Sequence, residues 1–81
     1  MTVQVQLFAR LRDLAGSNSL ALELPPGSTV ADLRHHLTVE YPQLASLLER
    51  CAIGVNNEFA EDDLRLLENA EIAVLPPVSG G

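Results

Sequence analysis

Strict alternation of apolar and polar residues marks the beginning of the chain. Over residues 2–8 the alternation has the period of two that is typical of a strand with one buried and one exposed face. It returns over residues 19–24, where Pro25-Pro26-Gly27 stops it. Residues 11–16 end in a glycine and predict a short helical turn between the two strands. The predicted inward-facing residues are Val3, Val5, Leu7, Leu20, Leu22 and Leu24.

A helix is predicted to begin after Thr29. The side-chain oxygen of Thr29 can accept a hydrogen bond from the backbone N–H of Asp32, and the Asp32 carboxylate suits the positive end of a helix. Pro42 ends this helix and is placed to open a second one, because proline fits only the first turn. The predicted apolar stripe comprises Val30, Leu33, Leu37, Leu44, Leu47, Leu48 and Cys51.

The last third of the chain has the pattern of three more strands. Asn56-Asn57 predicts a hairpin turn, since asparagine tolerates positive φ. A long connection follows the hairpin, with a predicted turn of helix over residues 62–66. The predicted order is a strand from Ile53, the turn, a short edge strand over residues 58–60, a connection over residues 61–70 and a strand over residues 71–75.

This order of elements predicts an α+β fold, with one mixed sheet and helices packed on one face. It fits the β-grasp arrangement, in which the last strand lies beside the first and parallel to it. A ferredoxin-like arrangement with one strand misread fits the order as well. Because 81 residues make one small domain, we predict a single β-grasp domain over residues 1–76 and a flexible C-terminal tail over residues 77–81.

Charge and composition narrow the classes of partner. The formal net charge is −6, from eleven acidic residues and five arginines, with no lysine. Nucleic acid and anionic membrane surfaces need clustered cations, so neither is expected as a partner. The opening has no signal-peptide pattern, and no apolar run approaches the ~20 residues that span a bilayer, so a cytoplasmic location is expected. An acidic domain suits a basic protein partner.

Few side chains have the spacing of a catalytic or metal site. His35 and His36 are adjacent, so they point in different directions on a helix and are predicted to be surface or boundary residues. Cys51 is the single cysteine, which excludes an internal disulfide, and it is predicted to be a small buried hydrophobe. Asp62-Asp63 and Glu58 are predicted to form a solvated acidic loop. We therefore predict no metal site.

The end of the sequence is the strongest candidate for chemistry. Pro76-Pro77 is stiff, whereas Gly80 and Gly81 have no side chains and let the backbone thread a narrow channel. Such a tail could carry the α-carboxylate of Gly81 into the active site of a partner protein. Its activation as an acyl-adenylate requires a nucleotide site, which we expect on a partner protein.

Strand parity predicts a second candidate surface beside this tail. In the last strand the residues that face away from the core include Leu75, which a parallel pairing places near Phe8. An exposed apolar patch at this position is typical of a protein interface. The alternative is that residues 61–70 cover Leu75. The predicted interface residues are Phe8, Ala73, Leu75 and Pro76, continued by Pro77 and Val78.

Both ends of the chain resemble a known family. Residues 71–81 read Glu-Ile-Ala-Val-Leu-Pro-Pro-Val-Ser-Gly-Gly and resemble the C-terminus of the small, sulfur-carrier subunit of molybdopterin synthase. Leu7-Phe8-Ala9, residues 11–16 and the helix start over residues 29–33 also resemble that family. The resemblance covers essentially the whole chain. One departure is Asn69-Ala70, where the family commonly has Gly-Asp, and it leaves the local turn conformation open.

The resemblance implies a ubiquitin-like β-grasp fold and a reaction cycle. An ATP-dependent adenylyltransferase, similar to ubiquitin-activating (E1-like) enzymes, would adenylate the Gly81 carboxylate. A sulfur donor, either a sulfurtransferase or a desulfurase, would convert it to a thiocarboxylate. The large subunit would then use this sulfur to convert cyclic pyranopterin monophosphate to the dithiolene of molybdopterin, in molybdenum cofactor biosynthesis. The segment inserted into that subunit would be Pro77, Val78, Ser79, Gly80 and Gly81.

The resemblance thus implies a subunit of a sulfurtransferase rather than an enzyme in itself. Catalytic side chains are expected on the large subunit, in a heterotetramer with a central large-subunit dimer. No cofactor is expected on this chain, since the activating partner uses the ATP. Three other functions fit the sequence: a sulfur carrier for thiamin biosynthesis or tRNA thiolation, a β-grasp interaction module, and a covalent protein modifier. The Pro-Pro-Val-Ser segment and the length favour the molybdopterin subunit.

Overall fold

A five-stranded mixed sheet forms the framework of the chain. The computed structural model describes residues 1–77, and residues 78–81 lie outside the described part. The strands are β1 (Thr2–Leu7), β2 (Ser19–Glu23), β3 (Ala52–Val55), β4 (Glu58–Ala60) and β5 (Glu71–Leu75). They lie side by side in the order β2-β1-β5-β3-β4, so the first and last strands of the chain are neighbours at the centre.

The strand pairings give this sheet its topology. β1 pairs with β2 in the antiparallel sense and with β5 in the parallel sense. β3 pairs in the antiparallel sense with β5 on one side and with β4 on the other. The parallel pairing of the first and last strands confirms the predicted α+β, ubiquitin-like β-grasp fold rather than the ferredoxin-like alternative. The predicted division into a domain over residues 1–76 and a tail over residues 77–81 stays a prediction.

The helices are α1 (Ala9–Ala15), α2 (Val30–Glu40) and α3 (Ala45–Leu48), with a 3₁₀ turn at Pro42–Leu44 before α3. The predicted short turn before β2 is therefore a helix of seven residues. It ends at Gly16, whose φ of +76° is the left-handed conformation that glycine adopts without strain. The proline at position 42 opens the 3₁₀ turn, as predicted for a residue without an N–H.

The start of α2 is a complete capping box. The Asp32 N–H donates to Thr29 Oγ1 at 3.3 Å, and the Thr29 N–H donates back to Asp32 Oδ2 at 2.9 Å. The backbone hydrogen bond from Thr29, helped by the Thr29 side chain, lowers the pKa of the Asp32 carboxyl below its ordinary value of 3.8. The cap is therefore stronger than the sequence predicted, because both hydrogen bonds form.

The core lies between the sheet and the helices, as the apolar alternation predicts. Each strand contributes its inward-facing residues, and α2 contributes the stripe spaced three and four residues apart. Burying one such Val or Leu side chain contributes roughly 1.5–3 kcal/mol. The side chains that are at most 2% exposed are Val3, Val5, Leu7, Leu11, Leu22, Val30, Leu33, Leu37, Leu44, Leu48, Ile53, Leu66, Ile72 and Val74.

The connection between β4 and β5 differs from the prediction of a helical turn over residues 62–66. Its carbonyl groups accept hydrogen bonds from the first turn of α2 instead: Val30 N–H donates to Leu64 O and Ala31 N–H to Asp62 O, both at 3.0 Å. The Leu66 N–H in turn donates to Ser28 O at 2.8 Å. The first N–H groups of a helix have no partner within the helix, and here the connection supplies partners. The predicted turn of helix is therefore wrong.

The structure shows the turn conformation at Asn69-Ala70, where the resembling family commonly has Gly-Asp. The φ of Asn69 is +64°, a left-handed conformation that asparagine tolerates far better than most residues with a side chain. Its N–H donates to Thr2 O at 2.9 Å, which joins the turn to the start of β1. An asparagine therefore serves here in place of glycine.

We predict that Thr29→Ala destabilises the protein by about 1 kcal/mol, because the Asp32 N–H loses its cap. Urea unfolding followed by circular dichroism measures the change. Thr38→Ala is the matched control, since the Thr38 hydroxyl donates within α2 to Arg34 O and caps no helix end. The control should change the free energy of unfolding by less than about 0.5 kcal/mol. Equal losses in the two variants would contradict the capping role.

Candidate functional site

The outer face of the sheet, opposite the helices, is divided into a polar half and an apolar half. On β1, alternate residues put Gln4 and Gln6 on this face, and both are exposed. On β5, Ala73 and Leu75 are half-buried and alternate with core residues, as the parity argument predicted. The apolar half therefore lies on the strand that leads directly into the tail.

Phe8 and Leu75 lie at the corresponding ends of two parallel strands. The last pair in their register is Leu7 with Val74, and Phe8 and Leu75 are the next residues along each strand. Phe8 is in extended conformation at the start of α1 and is 41% exposed. Pro76 is half-buried and Pro77 is exposed. All four predicted interface residues are thus at least partly accessible, as an interface requires.

Phe59 is a further apolar residue on this face, and the sequence analysis missed it. It lies in β4 opposite Gly54 and is 80% exposed. A Cβ on Gly54 would lie 3.8 Å from Ala73 Cβ, which shows how closely β5 flanks this position. The Asn56-Asn57 turn could have revealed this position from the sequence. A two-residue turn fixes the register of the hairpin, and this register places Phe59 opposite Gly54.

These residues enclose a shallow cavity of about 180 Å³. Its lining consists of Gly54, Asn57, Glu58, Phe59, Ala73 and Leu75. The structure does not have residues 61–70 covering Leu75, since the half-buried Leu75 lines this open cavity together with residues of β3 and β4. We call Phe8, Phe59, Ala73, Leu75 and Pro76 the outer patch.

The predicted tail begins at Pro77, directly after the outer patch. Pro77 is described, but Val78, Ser79, Gly80 and Gly81 lie outside the described residues. The structure does fix where the tail begins. β5 is hydrogen-bonded on both sides, to β1 and to β3, and its last residue, Leu75, belongs to the outer patch.

Cys51 and Asp62, two other candidates from the sequence, have contacts that stabilise the fold. Cys51 is 4% exposed, and its thiol donates to Leu47 O at 3.0 Å. Burial raises the pKa of the Cys51 thiol, against a smaller opposing effect of Arg34 and Arg50, so the protonated form is favoured. Asp62 forms an ion pair with Arg34, with 2.9 Å between Oδ1 and Nε.

His35 and His36 lie on α2 beside a cleft that contains Asp32 and the loop before the helix. His35 is exposed and His36 is half-buried. Within residues 1–77, no three His, Cys, Asp or Glu side chains are grouped so that they could hold a metal ion. None of the helices in that part of the chain is both long and apolar enough to cross a membrane.

Comparison of sequences relates this chain to a known family and to named proteins. The sequence model of the ThiS family matches residues 5–81. The chain is also similar to the molybdopterin synthase sulfur carrier subunit of Dictyostelium discoideum, with 38% identity over 81 residues that cover 96% of this chain and 94% of that protein. The match therefore extends across the fold and the tail together.

Comparison of structures agrees with this. SAMP1 from Haloferax volcanii is similar over 100% of both chains, with a TM-score of 0.88 and 29% identity. A chain in the complex of subunits 1 and 2 of the molybdopterin-converting factor from Helicobacter pylori is similar over 100% of both chains, with a TM-score of 0.73 and 27% identity. Relatives of this fold thus include a protein that assembles with a second subunit.

We predict that Cys51 reacts slowly with a thiol reagent in the folded protein, because it is buried and its pKa is raised. At pH 8 the rate should be at least about tenfold below that of the same chain in urea. Absorbance of the released chromophore measures both rates. Equal rates in the folded and unfolded chain would contradict the buried position.

Proposed function

Because this chain belongs to the ThiS family, we propose that it is a sulfur carrier and acts as the small subunit of molybdopterin synthase. The observation that carries the proposal is the family match through residue 81, which includes the Pro-Pro-Val-Ser-Gly-Gly segment. The structure of the relative in complex with a second subunit supports a large-subunit partner.

The proposed chemistry begins at the α-carboxylate of Gly81. An oxygen of this carboxylate attacks the α-phosphorus of ATP on an E1-like adenylyltransferase, and pyrophosphate leaves. The outer sulfur of a persulfide on a sulfurtransferase or desulfurase then attacks the acyl carbon, and AMP leaves with the bonding electron pair. A second thiol cleaves the S–S bond of the resulting acyl disulfide, which releases the thiocarboxylate and leaves the donor as a disulfide. The product is a thiocarboxylate, whose sulfur is a better nucleophile than the original oxygen.

The large subunit then uses this sulfur. The thiocarboxylate sulfur bonds to a carbon of cyclic pyranopterin monophosphate as a carbon–oxygen bond at that carbon breaks, and the departing oxygen takes the electron pair and a proton. Water then cleaves the acyl–sulfur bond, which restores the Gly81 carboxylate. Because a dithiolene contains two sulfur atoms, each product consumes two loaded carriers. Gly81 is therefore a consumed cosubstrate, and the general acids and bases are proposed on the large subunit. We propose a heterotetramer in the reducing cytoplasm, with ATP used by the activating partner alone.

The outer patch is proposed to hold the large subunit beside the tail. It is apolar, partly exposed and continuous with Pro76, so docking there fixes the point at which the tail departs. Five extended residues, 77–81, reach at most about 17 Å. The acceptor site of the large subunit must therefore lie within about that distance of the docked patch.

Mass spectrometry of the intact chain tests the carrier function. After incubation with a cognate adenylyltransferase, ATP and a sulfur donor, we expect a mass gain equal to replacing one oxygen by one sulfur. Deletion of Gly81 should abolish both the gain and sulfur transfer while leaving the unfolding transition unchanged, because the buried residues of the described part, 1–77, extend no further along the chain than Val74. An unchanged mass of the intact chain would refute a carrier function, and transfer by the deletion variant would refute the tail mechanism.

We predict that Leu75→Glu weakens binding of the large subunit by about 2 kcal/mol, because a carboxylate would be desolvated at the centre of the outer patch. Isothermal titration calorimetry measures the affinity. Gln4→Glu, which adds the same charge on the polar half of the same face, is the matched control and should change the affinity little. Similar losses in both variants would place the interface elsewhere.

A covalent protein modifier is the second candidate, favoured by the similarity to SAMP1, a small archaeal modifier protein. The activated Gly81 would then form an amide with a lysine of another protein, since this chain has no lysine of its own. The same incubation separates the two functions. A carrier gains one sulfur, whereas a modifier is recovered in adducts that carry the mass of both proteins. The carriers for thiamin and tRNA would gain sulfur but would not yield molybdopterin with the large subunit.

A further inference from the structure

β4 lies at the edge of the sheet, and the hydrogen-bonding pattern shows which of its backbone groups are free. The Asn56 N–H donates to Glu71 O at 2.8 Å, so the backbone groups of Gly54, two residues earlier, also point toward β5. Phe59 lies opposite Gly54. Its N–H and C=O therefore point away from β3, toward the free edge, and neither takes part in another backbone hydrogen bond of residues 1–77.

A groove of about 640 Å³ runs along this edge, on the side of β4 opposite the outer patch. Ala60, which pairs with the buried Ile53, and the half-buried Val55 form its apolar floor. Leu64 forms the far wall and is 43% exposed. The groove thus offers apolar surface directly beside a strand edge with free hydrogen-bonding groups.

The rim of this groove is acidic. Glu58, Glu61 and Asp63 all line it, and none of the three forms an ion pair within residues 1–77. The one cation among the lining residues is Arg65, whose guanidinium lies 3.4 Å from Gly27 O, at the start of α2. The carboxylates of the rim are therefore available to a cation from outside.

We propose that this groove, which we call the β4 edge groove, binds an extended basic segment of a partner protein by strand addition to β4. Phe59 supplies the two backbone hydrogen bonds, the floor takes an aliphatic side chain, and the rim carboxylates pair with Lys or Arg side chains beside it. The two surfaces meet at Phe59, whose ring belongs to the outer patch and whose backbone belongs to the groove edge, and the groove uses no group of the tail. Binding in the groove and docking on the outer patch therefore involve different sides of β4.

An open strand edge could bind either a second copy of this chain or a segment of another protein, and the charge of the rim favours the latter. A second copy of this chain would bring the same three carboxylates against the rim, and like charges at such close range oppose pairing. A basic segment has the opposite charge and removes that repulsion. The occupant is accordingly an extended protein segment that carries both basic and aliphatic residues.

The test titrates the ¹⁵N-labelled full chain with an acetylated, amidated Arg-Val-Arg-Val-Arg-Val peptide. The largest amide shifts are expected over residues 58–64, with slower hydrogen exchange at the Phe59 N–H. A Glu-Val-Glu-Val-Glu-Val peptide should cause no such shifts. Absence of shifts in this region, or larger shifts at Phe8, Ala73 and Leu75 of the outer patch, would overturn the proposal.

Charge reversal on the rim tests the electrostatic part. The double variant Glu61→Lys, Asp63→Lys should weaken binding of the basic peptide at least about tenfold. Glu40→Lys, Glu49→Lys is the matched control, since it makes the same change in net charge at exposed positions outside the groove. Equal losses in both double variants would indicate general attraction by the net charge and refute a specific rim.

Two substitutions at one position test the backbone part. Phe59→Ala removes the ring but keeps the N–H, whereas Phe59→Pro removes the N–H as well, at an edge position where proline breaks no hydrogen bond of the ladder. We expect Phe59→Pro to bind the peptide several-fold more weakly than Phe59→Ala, with the same melting temperature in both. Equal affinities in these two folded variants would exclude strand addition. A concentration-dependent dimer in light scattering would instead identify a second copy as the occupant.

Discussion

The parallel pairing of β1 with β5 is the interaction on which the rest of the structure depends. Val5 lies opposite Ile72 and Leu7 opposite Val74, so the two ends of the fold place their apolar residues side by side in the core. Because β5 also pairs with β3, it joins the N-terminal hairpin to the C-terminal one. A parallel pair of strands so far apart in sequence forms only if the segments between them fold back across the sheet, which is the task of α2 and the connection.

The connection between β4 and β5 stabilises the start of α2 and also leads the chain back into the sheet. It supplies the hydrogen-bond acceptors for the first turn of the helix, and Asp62 forms an ion pair with Arg34 on the same helix. Leu66 anchors its middle in the core. The same arrangement directs Glu61 and Asp63 outward beside β4. The acidic rim of the β4 edge groove is thus a consequence of how the helix is capped.

Because the chain is small, one face of the sheet packs in the core and the other face remains accessible. One face of the sheet is covered by the helices in the core, so within residues 1–77 the sheet offers partners its outer face and its edges. The strand that leads to the tail, β5, is paired on both sides, with β1 and with β3. A load applied to the tail by a partner is therefore resisted by two ladders of hydrogen bonds.

The sequence by itself determined the elements whose signals are local. The apolar-polar alternation determined the strands, and Thr29 with Asp32 determined the start of α2. Asn56-Asn57 determined the hairpin and its register. Each of these features depends on only a few neighbouring residues. Only the tertiary structure decided that residues 62–66 form no helix, since the carbonyl groups of Asp62 and Leu64 accept hydrogen bonds from α2, which lies far away in sequence. It likewise decided that Phe59 joins the outer patch, because accessibility depends on which strand lies at the edge of the sheet.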